Sequence, residues 1–365
     1  MTTVQHRIGS GFGATTTAAE VLRGIDLCGK LAIVTGGYSG LGLETTRALT
    51  DAGAHVVVPA RRPDRAREAL GGIGEVDELD LADLESVRGF AERFLASGRR
   101  IDIVIGSAAV MACPPTWVGP GWEAQFATNH LGHFALVNLL WPAIAPGARV
   151  VSVSSGGHHF SDIRWDDPWF ERGYDKWLAY GQAKTANALF AVHLDRLGRD
   201  SDVRAFSVHP GSIMTPLQRH IPREEQIAHG WIDEEGTVAA RFKTPAQGAA
   251  TQVWAATAPR LADLGGVYCE DCDIADPSPE PTPEPTAKPT AKPTAKPTAE
   301  PTVERTAEAT TEPSPGSSPD AGRPAPGGRP PVGPGVRDYA MDPDQAARLW
   351  RFSAELTGVD AFGRH

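Results

Sequence analysis

Between Leu31 and Ala52 the chain reads as an apolar run, a glycine-punctuated turn and a helix. No other feature constrains the fold as strongly. Leu31-Ala-Ile-Val34 is short, apolar and partly β-branched, as a strand buried on both faces requires. It runs into Thr35-Gly-Gly-Tyr-Ser-Gly-Leu-Gly42, and Glu44 to Ala52 reads as helix. Glycines at 36, 40 and 42 let the backbone turn tightly and approach a pyrophosphate. The helix start turns its N–H groups and positive dipole end toward that anion. An ordinary strand-to-helix turn is the competing reading; the flanking strand and helix favour dinucleotide binding.

The same alternation continues along the chain. His55-Val-Val-Val58, Ile101–Ile105, Arg149–Val153 and Arg204–Val208 are strand candidates with helical stretches between them. Strands alternating with helices predict an α/β fold, a doubly wound parallel sheet with helices on both faces. A length of 365 residues allows one large domain or two ordinary ones, and an apolar fraction of 41% supports a buried core. The net charge of −10 is spread rather than blocky, which argues against a nucleic-acid footprint or an anionic-membrane patch. Four cysteines are too few for a disulfide scaffold and point to a reducing compartment. The start, MTTVQHRIGSGFG, holds no apolar run of signal-peptide or anchor length, so no membrane anchor and a cytoplasmic location are expected.

Composition changes sharply at Asp276. From there to Gly335, Pro, Thr, Ala, Glu, Ser and Gly dominate, and PTAK repeats in tandem within PTAKPTAKPTAKPTAEPT at 285–302. Such a segment cannot bury enough apolar surface to offset its ordering entropy, so disorder with local polyproline II character is expected. A partner-docking or modification segment is one reading and an expanded low-complexity linker the favoured one. Its partner, if it has one, is not identified by composition. Asp342-Pro343 then opens a helix, with apolar positions at Ala346, Leu349, Trp350 and Leu356.

Thr-Gly-x-x-x-Gly-x-Gly at 35–42, Tyr-x-x-x-Lys at 180–184 and a strand ending in Ser154-Ser155 together resemble the short-chain dehydrogenase/reductase family. Asn129-His-Leu-Gly-His-Phe134, the long segment after Ser155 and Tyr180-Gly-Gln-Ala-Lys-Thr-Ala-Asn187 resemble its retinol-dehydrogenase-like and WW-domain-oxidoreductase-like branch. That branch interconverts lipophilic alcohols and carbonyls. The resemblance implies a Rossmann-type sheet and a small lipophilic substrate, and leaves homo-oligomerisation open. Gly266-Val-Tyr-Cys269 and the helix after Asp342 resemble the family's last strand and the branch's last helix. The expected organisation is therefore one domain: 1–275, a disordered insertion at 276–335, and a C-terminal helix at 336–365 that completes it. Lengthening a loop costs closure entropy only logarithmically.

Tyr180 and Lys184, spaced i,i+4, share one face of a helix. An isolated tyrosine is a poor base at neutral pH, and a neighbouring ammonium favours its phenolate, so Lys184 is expected to lower the pKa of Tyr180. The resemblance makes Tyr180 the acid/base, gives Lys184 a bond to the nicotinamide ribose, has Ser155 orient the substrate oxygen and places Asn129 in the proton relay. It also assigns Thr35, Gly36, Tyr38, Ser39, Gly40, Leu41, Gly42, Asp80, Leu81, Ala108, Pro210, Gly211 and Thr215 to the cofactor, along with Tyr180 and Lys184. After the second strand, NAD-preferring members carry an acidic residue. This chain reads Pro59-Ala60-Arg61-Arg62, and guanidinium groups there suit a 2′-phosphate, so NADP is preferred, with NAD the alternative. Arg61 and Arg62 could otherwise simply solvate a helix start.

One departure stands out. The family's Asn-Asn-Ala-Gly appears as Gly106-Ser107-Ala108-Ala109. Ser107 is expected to replace only part of the missing asparagine's ties, with weaker cofactor affinity or stability as the result. Between Ser155 and Tyr180 lie Phe160, Trp165, Trp169, Phe170, Tyr174 and Trp177, either a substrate wall or a cap on its own core. His158 and His159 follow Ser155 closely enough to face substrate. No metal site is expected: His130 and His133 belong to the family's Asn-His-x-Gly-His motif, and Cys269-Glu-Asp-Cys272 has no second pair. A cofactor-binding interaction protein with weak turnover, or a C=C reductase, are the rival readings.

Overall fold

The structure, a computed structural model, describes residues 4–278 and 333–363. In chain order the first half contains α1 (Ala18–Val21), β1 (Leu31–Thr35), α2 (Gly40–Asp51), β2 (His55–Ala60), α3 (Pro63–Leu70), β3 (Glu75–Glu78), α4 (Leu84–Ala96) and β4 (Ile101–Gly106). A hairpin of β5 (Trp117–Val118) and β6 (Trp122–Glu123) leads into α5 (Ala124–Phe126) and α6 (Gly132–Leu140). Then follow β7 (Ile144–Val153), α7 (Lys176–Gly198), β8 (Arg204–His209), α8 (Arg223–Ala228), α9 (Pro245–Gly248), α10 (Ala250–Thr257), β9 (Val267–Glu270), β10 (Asp273–Ile274) and α11 (Pro343–Thr357).

Eight strands form one sheet in the order β3-β2-β1-β4-β7-β8-β9-β10, parallel except for the β9–β10 pair. The chain winds outward in one direction from β1 to β3 and in the other from β4, so a crevice opens between β1 and β4 at their carboxyl ends. Register sets that edge: Thr35 lies beside Gly106, Gly106 beside Ser152, and Ser152 beside Ser207. Both faces of the central strands are apolar. Ala32 and Val34 of β1 join the core under α10, which includes Trp254; Leu31 and Ile33 join the opposite core of Phe90, Phe94, Phe134, Phe190 and Trp350. This is the doubly wound α/β fold expected from the alternation.

The strand expected at Arg149 begins five residues earlier, through Pro146 and Gly147. Two short elements were not expected. β3 reads Glu-Val-Asp-Glu and forms one sheet edge, where charge is tolerated and blocks further pairing. β10 closes the other edge after a turn in which Asp271 and Cys272 both take positive φ.

The C-terminal helix belongs to the same body. Asp342 caps α11 by accepting from the N–H groups of Asp344 and Gln345, and Pro343 occupies its first turn. Ala346, Leu349 and Trp350 are buried, and the Trp350 ring stacks on Phe190 at 5.8 Å. Composition drew the low-complexity segment from 276 to 335, but both of its ends are tied down. Ser278 N–H donates to the Val336 carbonyl (2.8 Å) and Val336 N–H to the Asp276 carbonyl (3.1 Å). The expected disorder of 279–332 lies outside the described residues. Among the described residues no helix is long and apolar enough to cross a membrane.

Candidate active site

Three backbone segments converge at the crevice. Gly36 takes φ +68, and a β-carbon there would sit 2.9 Å from Ala108 Cα. A β-carbon on Gly42 would run into the Gly36 carbonyl, so only glycine lets α2 start flush against this turn. Thr215 lies over the same spot, 3.2 Å from where a β-carbon of Gly40 would be. Its hydroxyl accepts from Leu217 N–H, capping the short helical turn Pro216–His220. Gly211, with φ +96 and Pro210 before it, follows β8 and lies against the Lys243 side chain. The first turn of α2 carries no acidic side chain, and Ser39 makes no side-chain cap there. A glycine cradle at a helix start without a competing carboxylate fits the pyrophosphate of a dinucleotide.

At the far end of the crevice β2 stops at Ala60, and Arg61 and Arg62 follow it, exposed. The Asp80 carboxylate accepts from Ala82 N–H (3.0 Å), holding the turn beyond β3, and Leu81 is buried with its carbonyl against Gly132. Arg219, not singled out in the sequence, joins Arg61: partial burial, and then the Arg61 guanidinium, lower its pKa.

The departure at 106–109 is compensated by residues other than Ser107. Ala108 N–H donates to Thr35 Oγ1 (3.1 Å), and that hydroxyl meets His133 Nε2 at 2.8 Å. His133 Nδ1 lies 3.0 Å from the Asn129 carbonyl, which can only accept, so Nδ1 carries the proton and Nε2 accepts from Thr35. Burial holds this imidazole neutral, with its pKa down to about 4. Thr35 and His133 thus join β1, the turn after β4 and α6. His130 turns elsewhere, to Ser353 of α11 (2.8 Å).

Asn129 lies where the helix widens to a π-turn over Ala127–Leu131, a feature frequent at functional sites. Its carboxamide pairs with Val110 at both ends: Oδ1 accepts from the N–H at 2.8 Å and Nδ2 donates to the carbonyl at 2.9 Å. It therefore fixes the loop leading to Met111 and Ala112. Ala112 has φ +49, unusual for a residue with a side chain, and is held by Gln125 Oε1 on its N–H (2.9 Å). The Tyr174 hydroxyl donates to the next carbonyl, of Cys113 (3.0 Å).

Tyr180 and Lys184 project from the buried middle of α7. Ser155 begins the turn after β7, and its hydroxyl lies on the Tyr180 side of Gly157. Its hydroxyl also accepts from Gly157 N–H (3.0 Å), and a β-carbon on Gly157 would sit 2.7 Å from the Tyr180 ring. Lys184 Nζ donates to the Val153 carbonyl (2.8 Å) and lies 5.6 Å from the centre of the Tyr180 ring. The expected lowering of the Tyr180 pKa by Lys184 is not what this arrangement gives. Burial pushes the phenol up to about 12, against the opposing effect of Ser155, and burial brings Lys184 down to about 7. Burial thus favours the protonated phenol and the uncharged amine.

The aromatic segment divides. Trp177 packs edge-on to Tyr180 (6.5 Å), Phe160 (6.1 Å) and Trp231 (6.0 Å). With Met111, Ala112, Leu217 and Ile221 it builds an apolar wall around the phenol. Trp165 and Trp169 instead pack against Phe352 of α11, and Phe170 packs against Tyr174. His158 and His159 do not face this wall either. His158 is fully buried against Tyr268, and His159 Nε2 meets the Gly335 carbonyl (3.1 Å).

A glycine cradle at the β1–β4 crevice beside a Ser–Tyr–Lys cluster defines a nucleotide-dependent oxidoreductase of the short-chain type. The family model for short chain dehydrogenases matches residues 30–226. A probable oxidoreductase of Streptomyces lividans is 45% identical over 260 residues, covering 68% of this chain and 86% of the relative. Retinol dehydrogenase 11 of Mus musculus is 37% identical over 261 residues, covering 69% and 80%. The crystal structure of a putative uncharacterized protein from Mycobacterium paratuberculosis superposes with a TM-score of 0.62 at 29% identity, covering 96% of this chain and 100% of that one. The chain belongs to the short-chain dehydrogenase/reductase family, in its retinol-dehydrogenase-like branch.

Proposed function

We propose that the protein is an NADP(H)-dependent oxidoreductase that interconverts a lipophilic alcohol and its carbonyl. The observation that carries this reading is a buried Tyr180 that shares with Ser155 the space beside Gly157 and is ringed by Trp177, Leu217 and Ile221. The bound nicotinamide would supply or accept the hydride at the carbonyl carbon. In reduction Tyr180 gives its proton to the carbonyl oxygen, and in oxidation it takes one from the hydroxyl. Ser155 holds that oxygen by hydrogen bond. Lys184 in its charged form favours the phenolate that Tyr180 becomes, and carries over from the family a bond to the ribose. Asn129, through Val110, keeps the Met111–Ala112 wall in place, and its part in a proton relay is proposed by resemblance. The wall selects an apolar substrate because it offers little besides aromatic and aliphatic surface around the reacting group.

Arg61 and Arg62 favour NADP, since the two residues directly after β2 are arginines and Asp64, further on, pairs with Arg67. The sequence of 276–335 is proposed as an insertion between β10 and α11, whose described ends pair at Asp276, Ser278 and Val336. Deleting 279–332 leaves both hydrogen-bonded ends in place and is expected to preserve cofactor binding; an unfolded product would contradict it. The central test is a panel of aldehydes and ketones with NADPH oxidation as readout, and Tyr180→Phe alongside. Turnover that survives the substitution, or cofactor binding without turnover on any carbonyl, rejects the reading.

A further inference from the structure

We propose that His158 is a positioning residue, which fixes Ser155 through its backbone carbonyl in a geometry set by the segment returning at Gly335–Arg337. His158 Nδ1 lies 2.7 Å from the Ser155 carbonyl, and Nε2 lies 3.2 Å from Arg337 N–H. A backbone N–H only donates, so Nε2 accepts and the ring proton sits on Nδ1, directed at Ser155. Arg337 thereby selects the tautomer that holds Ser155, from 182 positions further along the chain. The main chain of His158 is fixed as well: its carbonyl accepts from the Tyr339 hydroxyl (2.7 Å) and the Thr185 hydroxyl (3.3 Å). Next to it, His159 reaches the Gly335 carbonyl, and Gly335 N–H donates to Glu270 (3.1 Å). Ser155 thus stands on a buried polar cluster that bolts its loop to the chain beyond residue 332.

The ring is wholly buried, and its titratable or charged neighbours are His159, His209, Arg337 and Tyr268. Burial holds its pKa well below the ordinary histidine value, so it stays neutral across the usual assay range and moves no proton in the reaction. This separates positioning from acid/base catalysis.

The role rests on Ser155 acting in the chemistry proposed above. Asparagine at 158 places an amide N–H near the Nδ1 position, whereas glutamine carries its amide out to the Nε2 position. Arg337→Pro removes the backbone donor to Nε2 together with the guanidinium, and φ −72° at that residue suits proline; Arg337→Ala, which keeps the N–H, is the control for the lost charge and should keep kcat. His158→Gln and Arg337→Pro are expected to lower kcat about tenfold or more, the scale of one lost hydrogen bond expressed in the transition state, and His158→Asn to recover most of it. KM for NADPH and the midpoints of the pH–rate profile should stay in place. Equal losses for Asn and Gln, no loss in Arg337→Pro, or a moved midpoint would overturn the role. Tyr180→Phe measured alongside distinguishes the two claims. Turnover that survives it fails the hydride-transfer reading, while its loss with none at His158 or Arg337 fails only the positioning role. Hydrogen exchange over 155–160 reads the tie without turnover: faster in the glutamine and proline variants than in the asparagine variant, with equal rates refuting it.

Discussion

Replacement of Lys184 by methionine is expected to stabilise the protein in mild acid while removing turnover. Lys184 is buried to 2% exposure, and its ammonium donates to the Val153 carbonyl. That carbonyl also accepts from Asn187 Nδ2 at 3.0 Å, so methionine leaves no orphaned acceptor. Burial lowers the pKa from the ordinary 10.5 to about 7. Below pH 7 both folded and unfolded chains carry the charge, and the folded state bears its full desolvation cost. Between 7 and 10.5 the unfolded chain binds a proton that the folded one does not, so the stability of the lysine protein rises with pH. At about 1.4 kcal/mol per pH unit the displacement corresponds to about 5 kcal/mol at most, and relaxation with water entry leaves roughly half. Thermal unfolding of both proteins at pH 6 and pH 10 measures the difference. The methionine variant should be more stable by roughly 2–3 kcal/mol at pH 6, with the gap closing by pH 10. Equal stability at pH 6, or a gap indifferent to pH, would refute the reasoning.

Gly42→Ala should weaken NADPH binding and cost about 1–3 kcal/mol of stability, because its β-carbon meets the Gly36 carbonyl; fluorescence titration and urea unfolding read both. Arg61→Ala should raise KM for NADPH about tenfold and leave KM for NADH nearly unchanged, as the loss of one charge-assisted bond to a 2′-phosphate requires. Equal effects on both cofactors would remove Arg61 from that role. Trp177→Ala opens the wall beside Tyr180 and should raise KM for bulky apolar carbonyls more than for short ones.

Most of the sheet was legible because its strands are apolar runs and its connections start with recognisable turns. β1 and α2 meet at glycines whose spacing has one structural use, and α11 announces itself through Asp342-Pro343. β3 was not legible, because three of its four residues are acidic and its pairing with β2 comes from the sheet rather than from propensity. The proposed quartet of Asn129, Ser155, Tyr180 and Lys184 could be named, but not its electrostatics: a spacing of four says that Lys184 is near Tyr180 and nothing about how deeply both are buried. The Thr35–His133 tie joins residues 98 positions apart, and the Asn-His-x-Gly-His motif gave the only hint of it. Likewise six aromatic residues in one segment divide among the apolar wall beside Tyr180, the α11 core and a Phe170–Tyr174 pair, according to partners that no local pattern encodes. Gln125, which holds Ala112 in its left-handed conformation, and His209, whose Nδ1 accepts from Gly156 N–H at 3.0 Å, carry no sequence signal at all.

The central claim is hydride transfer between a nicotinamide and a lipophilic carbonyl with Tyr180 as proton donor. Mass spectrometry of the alcohol formed from NADPH deuterated at the transferable C4 position tests it most directly. One deuterium on the carbinol carbon of each product molecule in the native protein, and no product beyond background in Tyr180→Phe, is the predicted result. Alcohol without deuterium, or labelled alcohol formed equally well by Tyr180→Phe, would contradict it.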